Sequence, residues 1–127
     1  MTMPDERMRS LRWGSELLGE LVLDTTLPEA LRARARDLVP AYPVPHALVK
    51  LLGDDTSALP QAWVAAMADA LDLFEESRLG LHGSEETRKS LRFTLRHFPD
   101  EGTIRLMGKA ENAWPLAGWL APEDRYR

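Results

Sequence analysis

Apolar residues recur along this chain at steps of three and four, broken by clusters of proline, glycine and small polar residues. Met8, Leu11, Ser15, Leu18 and Val22 share one stripe, which predicts a first helix over about residues 4–22. Thr2-Met3-Pro4-Asp5 suits its start, with a proline near the first helical position and acids in the first turn. Trp13 falls roughly opposite Leu11, with Leu17 and Leu21 spreading between them. So wide an apolar arc predicts a helix buried on more than one side, or one whose outer edge meets a partner.

Asp24-Thr25-Thr26 breaks the pattern, and Thr26-x-x-Glu29 with Pro28 between is a restart signal. A second helix is predicted to run to about residue 39, with Leu31, Ala35, Leu38 and Tyr42 facing inward. Pro43 and Pro45 force an extended corner, because each disfavours helix in the residue before it. A short helix over 46–52 then ends at Gly53, and 54–57 reads as a loop. A fourth helix starts at about Pro60, with Trp63, Met67, Ala70, Leu71 and Phe74 inward and Asp69, Asp72, Glu75 and Glu76 outward. The stretch 80–83 stops it, and Ser84-Glu85-Glu86 caps a fifth helix over 85–97. Phe98-Pro99 makes another corner, 101–107 another short helix, and 114–120 a last turn or two before a polar tail. No alternating pattern competes for strands.

These elements come in two matching sets. At an offset of 56 residues Glu29, Arg32 and Arg36 reappear as Glu85, Arg88 and Arg92, Val39 as Leu95, Tyr42-Pro43 as Phe98-Pro99, and Leu48 as Ile104. One residue short of that offset, the Leu59-Pro60-x-Ala62 region reappears around Trp114-Pro115-x-Ala117. The expected architecture is all-α: a compact bundle of five to seven helices forming one domain over 1–127. It is built from two diverged copies, at about 4–59 and 60–121, followed by a tail at 122–127. Two copies are too few for a solenoid, so they are expected to close one core about a pseudo-two-fold axis.

Composition narrows the chemistry more than it names it. The chain has 127 residues, 44% hydrophobic and 28% charged, which is ordinary for a globular domain. The absence of cysteine removes disulfides, thiolate catalysis and thiolate ligands together. No apolar run approaches the roughly 18 residues of a membrane span, and the charged opening MTMPDERMRS does not read as a secretory signal. A net charge of −4 argues against bulk attraction to nucleic acid.

His46, His82 and His97 lie near carboxylates, but no pair has a recognised ligand spacing, so no metal, cofactor or catalytic residue is expected. No serine sits in a Gly-x-Ser-x-Gly turn. Trp63 and Trp119 read as core, whereas Trp13 and Trp114 are candidates for the surface. The informative contrast lies between the second and fifth helices. Off the buried stripe the former shows Arg32, Ala33, Arg36 and Asp37, while the latter shows Arg88, Lys89, Arg92 and Phe93, followed by Arg96. An aromatic anchor ringed by cations is a common composition for a protein contact, and it would also suit a phosphate backbone. The bland counterpart is that Arg88 and Arg92 pair with the acids of the fourth helix while Phe93 is covered by a terminal segment.

The opening Met-Thr-Met-Pro-Asp-Glu-Arg, Glu16-Leu17-Leu18-x-Glu20-Leu21, Leu27-Pro28-Glu29-x-x-Arg32 and Tyr42-Pro43 together resemble a family of short uncharacterised proteobacterial proteins. That family opens Met-Thr-x-Pro-x-Glu-Arg and closes its unit with Leu-Arg-His-Tyr-Pro, echoed here as Leu95-Arg96-His97-Phe98-Pro99. In the first copy the ending is Val39-Pro40-Ala41-Tyr42-Pro43 instead. The resemblance implies a bacterial, cytoplasmic protein and brings no activity or site residues. The expectation is a non-enzymatic protein-binding module, of an accessory, regulatory or immunity type, whose partner presents an acidic surface. The alternative is a nucleic-acid-binding regulator with a degenerate helix-turn-helix at the second and third helices, although the third offers only Lys50.

Overall fold

Seven helices make up the regular structure of the computed structural model, which describes residues 2–53, 58–109 and 115–121. They are α1 (Pro4–Leu23), α2 (Glu29–Leu38), α3 (Pro45–Gly53), α4 (Gln61–Leu79), α5 (Glu85–His97), α6 (Glu101–Met107) and α7 (Leu116–Trp119). The all-helical expectation holds, and no strand occurs among the described residues. The expected loop at 54–57, Trp114 and the tail at 122–127 lie outside them.

Local chemistry sets the borders. Pro4 opens α1, where a missing N–H removes nothing from the helix ladder. Glu6 reaches back to accept the Met3 N–H at 2.8 Å. In α5 the Ser84 hydroxyl accepts the Thr87 N–H at 3.2 Å, and in α6 the Asp100 carboxylate accepts the Thr103 N–H at 2.7 Å. The expected Thr26 cap on α2 does not form. Instead the Thr26 N–H and hydroxyl both donate to the Asp24 carboxylate, at 2.9 and 2.6 Å, and α2 starts behind Pro28 without a side-chain cap.

Four helices form a ring. α2 and α5 each pack against both α1 and α4, while α1 and α4 face each other diagonally and touch little. α3 and α7 lie on α1, and α6 on α4. α1 and α5 run antiparallel. His97, at the end of α5, meets Glu6 in the first turn of α1 at 3.1 Å, and the Ser84 N–H before α5 donates to Asp24 after α1 at 2.8 Å. α7 is anchored by Arg7, which donates to the Trp119 carbonyl at 2.5 Å and lies 5.7 Å over its ring.

The ring encloses the core. Leu11, Leu18, Leu21, Met67, Leu73, Phe74 and Leu91 are fully buried, each such side chain contributing about 1.5–3 kcal/mol relative to exposure. Phe74 meets Phe98 edge-on, with centroids 5.7 Å apart at 88°. Tyr42 donates its hydroxyl to the Leu11 carbonyl at 2.5 Å over Gly14, where a Cβ would collide with the Tyr42 ring. Burial pushes the Tyr42 phenol up, so it stays neutral in the folded protein.

Burial also recurs at the offset seen in the sequence. Met8, Ser10, Leu11, Gly14, Leu17, Leu18 and Leu21 are buried in α1. Fifty-six positions on, Val64, Ala66, Met67, Ala70, Leu73, Phe74 and Ser77 are buried in α4. Leu31 and Ala35 of α2 answer to Thr87 and Leu91 of α5 in the same way. The packing is reciprocal too, since α1 lies on α5 as α4 lies on α2.

Candidate functional site

The fifth helix presents two faces of opposite character. Thr87, Leu91 and Thr94 turn inward, and Ser84 fixes the phase at which the helix begins. Phe93 is thereby placed outward, with 49% of its surface exposed. Lys89, Arg92 and Arg96 surround it and line a shallow cleft of about 280 Å³ with it. The Lys89 ammonium lies 5.9 Å from the Phe93 ring centroid, one helical turn away. Arg88, the fourth cation expected there, is half-buried and does not line that cleft. Five residues separate it from Phe93, which on a helix is well over a quarter turn.

None of Arg88, Lys89, Arg92 and Arg96 forms an ion pair with a described residue. The expected alternative pairing with the acids of α4 is therefore not made. Arg92 and Arg96 share a cleft with Glu75 and Arg78, yet no carboxylate there comes within 4 Å of a guanidinium. The counterparts in α2 behave differently, since Arg32 pairs with Glu29 at 2.7 Å and Arg36 pairs with the same carboxylate. Glu29 is held below the usual carboxylate range by the hydrogen bond from Arg36 and by the nearby charges of both arginines. Arg34 reaches across to Glu76 of α4 at 2.8 Å. The arginines Arg32, Arg34 and Arg36 of α2 are thus paired within the chain, whereas Lys89, Arg92 and Arg96 of α5 make no ion pair with a described residue.

The other side of Phe93 opens onto a groove that the sequence reading did not assemble. It lies between α1 and α5, measures about 290 Å³, and is bounded by Trp13, Glu16, Glu20, Ser90 and Phe93 over a floor of Leu17 and Thr94. Trp13 is 39% exposed and carries the Arg9 guanidinium 5.9 Å from its ring centroid, again one turn earlier in the helix. Glu20 accepts a hydrogen bond from Ser90 at 3.3 Å across the groove, while Glu16 is exposed. Two aromatics from helices far apart in sequence therefore form opposite lips of one groove. The sequence signal was present, since both residues fall off their buried stripes, but periodicity alone does not say which helices adjoin.

A second groove repeats the first. Between α2 and α4, a cleft of about 230 Å³ is lined by Arg34, Asp37, Leu38, Asp69 and Asp72. At the offset of 56, these are the positions of Ser90, Phe93, Thr94, Trp13 and Glu16. The two aromatic lips of one groove are thus aspartates in the other.

The histidines gather nothing resembling a metal centre: no group of three His, Cys, Asp or Glu suited to a metal ion occurs among the described residues. His97 does sit in a chain of polar contacts, with Nε2 3.1 Å from Glu6 and Nδ1 3.3 Å from the Thr2 hydroxyl. The Glu6 carboxyl is held low by the Met3 N–H, against desolvation and with help from His97. None of the four clefts described is lined by Thr2, Glu6 or His97. The cluster ties the start of α1 to the end of α5, where a cation is favoured by the helix dipole. No helix among the described residues is long and apolar enough to cross a membrane.

Comparison with protein-family models, with curated proteins and with solved structures returns no match.

Proposed function

We propose that this chain is a non-enzymatic protein-binding module, a bacterial and cytoplasmic accessory, regulatory or immunity-type protein, built from two diverged copies of one helical unit. Its contact surface is the α1/α5 face, with Trp13 and Phe93 as apolar anchors and Lys89, Arg92 and Arg96 as the basic edge. One observation carries this reading. Two equivalent grooves exist, and only one has acquired exposed aromatics beside cations left unpaired by described residues.

Half-exposed aromatic surface and arginines without an ion pair to a described residue add little to the stability of an isolated chain, yet both are enriched where proteins meet. The partner surface that fits would set carboxylates against the α5 edge and an apolar patch over the aromatic seam. Nucleic acid fits less well. Two arginines of α2 are held by Glu29, and α3 adds only Lys50 in its last turn.

The test is a tagged pull-down from lysate of the source bacterium, comparing the native chain with Phe93→Ala and with Arg92→Glu/Arg96→Glu. Loss of a specific protein in both variants, with helicity intact by circular dichroism, supports the face. Equal recovery by all three chains overturns it. Recovery that is nuclease-sensitive, with strongly salt-dependent heparin retention, would shift the reading to nucleic acid.

A further inference from the structure

Lys89, Arg92 and Arg96 are spaced by three and four residues along α5, so their stems leave the helix on one stripe within about 10 Å of axial rise. All three line the cleft of about 280 Å³ beside Phe93, and no acid among the described residues lines it with them. Arg92 and Arg96 also line the cleft toward α4, where Arg78 joins them. Glu85 stands at the position of Glu29, which binds two arginines of α2, yet it pairs with neither Arg88 nor Arg92. In the first copy the stripe is Ala33, Arg36 and Pro40, and Glu29 holds its one arginine.

Acids border these cations on every side. Glu75 and Asp100 stand toward α4, Glu16 and Glu20 toward α1, and Glu85 and Glu86 in the first turn of α5. Across the groove Arg9 is the cation over Trp13, and Asp5 lies 3.9 Å from it. An extended polyanion or an anionic bilayer laid along α5 would set its next charges against those carboxylates. A single compact anion would not. One carboxylate cannot neutralise three cations, whereas a phosphate monoester carries close to two charges and three acceptor oxygens, which arginine meets with paired N–H donors. We infer that the basic edge of α5 holds a phosphorylated side chain of the protein partner, its phosphate between Lys89, Arg92 and Arg96 and its stem against Phe93. This rests on the reading of that face as a protein-binding surface and names the chemistry it recognises.

Titration of the isotope-labelled full chain, followed by NMR, tests this. Phenyl phosphate and benzoate are the paired probes, since they share a ring and differ in the anion. Phenyl phosphate should give saturable shifts at Lys89, Arg92, Phe93 and Arg96, and should bind about ten-fold or more tightly than benzoate. Arg92→Gln/Arg96→Gln should weaken it by a similar factor with helicity intact by circular dichroism, because both side chains are exposed. In the pull-down, treating the lysate with phosphatase beforehand should remove the captured protein.

Equal affinity for benzoate, the absence of saturable shifts, or shifts that persist in the double variant would overturn the assignment. So would a single-stranded oligonucleotide whose affinity climbs with each added phosphate, which would turn the stripe toward nucleic acid. A partner whose capture depends on Phe93 but not on phosphatase would remove the phosphate and leave the binding face standing. A partner recovered equally by Phe93→Ala and Arg92→Glu/Arg96→Glu would remove the face, and the phosphorylated partner with it.

Discussion

The Asp24 carboxylate accepts hydrogen bonds from two turns that are 60 residues apart: from the Thr26 N–H and hydroxyl beside it, and from the Ser84 N–H at the head of α5. Desolvation alone would raise its pKa, but the bonds from Thr26, Ser84 and Thr87 outweigh it and hold the carboxyl well below its ordinary value. A depressed folded-state pKa adds stability that is complete above the unfolded value of about 3.9 and fades as pH falls through the folded one. Asp24→Asn should therefore cost roughly 1–3 kcal/mol at neutral pH, measured by urea unfolding. Below about pH 4 the native chain loses the same contribution, so the gap between native and variant should narrow. A gap that is constant from pH 7 to pH 3 would show that the ionised carboxylate is not what matters. Gly83 belongs to the same joint: its φ of +97° and its closeness to Thr87 and Asp24 leave no comfortable place for a Cβ.

At the scale of an element, α5 was the most legible part of the chain and α2 the least. The Ser84 cap, acids in the first turn, and arginine and histidine in the last turn all agree with one helix, whose observed bounds match the expected 85–97. In α2 the threonine that looked like a cap turned out to serve Asp24, because a hydroxyl can satisfy a neighbouring carboxylate as readily as a helix end. Ser84→Ala should accordingly cost about 1 kcal/mol, while Phe93→Ala should change unfolding free energy by less than about 0.5 kcal/mol because its ring is half in solvent. A large loss for Phe93→Ala would mean that the ring is structural and would weaken its proposed role as an anchor. The outward phase of Phe93 could be read from spacing. Its pairing with Trp13 could not, since helical periodicity fixes which way a side chain points but not what stands opposite, and the two are separated by 80 positions. The same limit hid Glu6 from His97, whose nearby Asp100 and Glu101 were the only acids that sequence proximity could offer.

For the whole molecule, the decisive fact is which halves touch. α1 packs on α5, and α2 packs on α4, so two of the four seams of the ring are closed by contacts between the first and second sets of helices. Cutting between residues 53 and 58 would leave a first fragment whose α1 exposes the side that met α5, and a second whose α4 exposes the side that met α2. Fragments of this size bury too little apolar surface to offset chain entropy alone, and short helices are marginal in water without tertiary packing. Each fragment alone should therefore show weak helicity and no cooperative melt by circular dichroism. Mixed at equal concentration, they should regain both, because every contact in the ring except the covalent link is restored. A first fragment that is folded and monomeric by itself would show that the cross contacts are not what closes the core. A first fragment that folds only as a dimer would be the more informative result. Two copies of α1–α2 can rebuild the ring only if α2 substitutes for α5, and the matched burial of Leu31 and Ala35 with Thr87 and Leu91 is the physical reason it could.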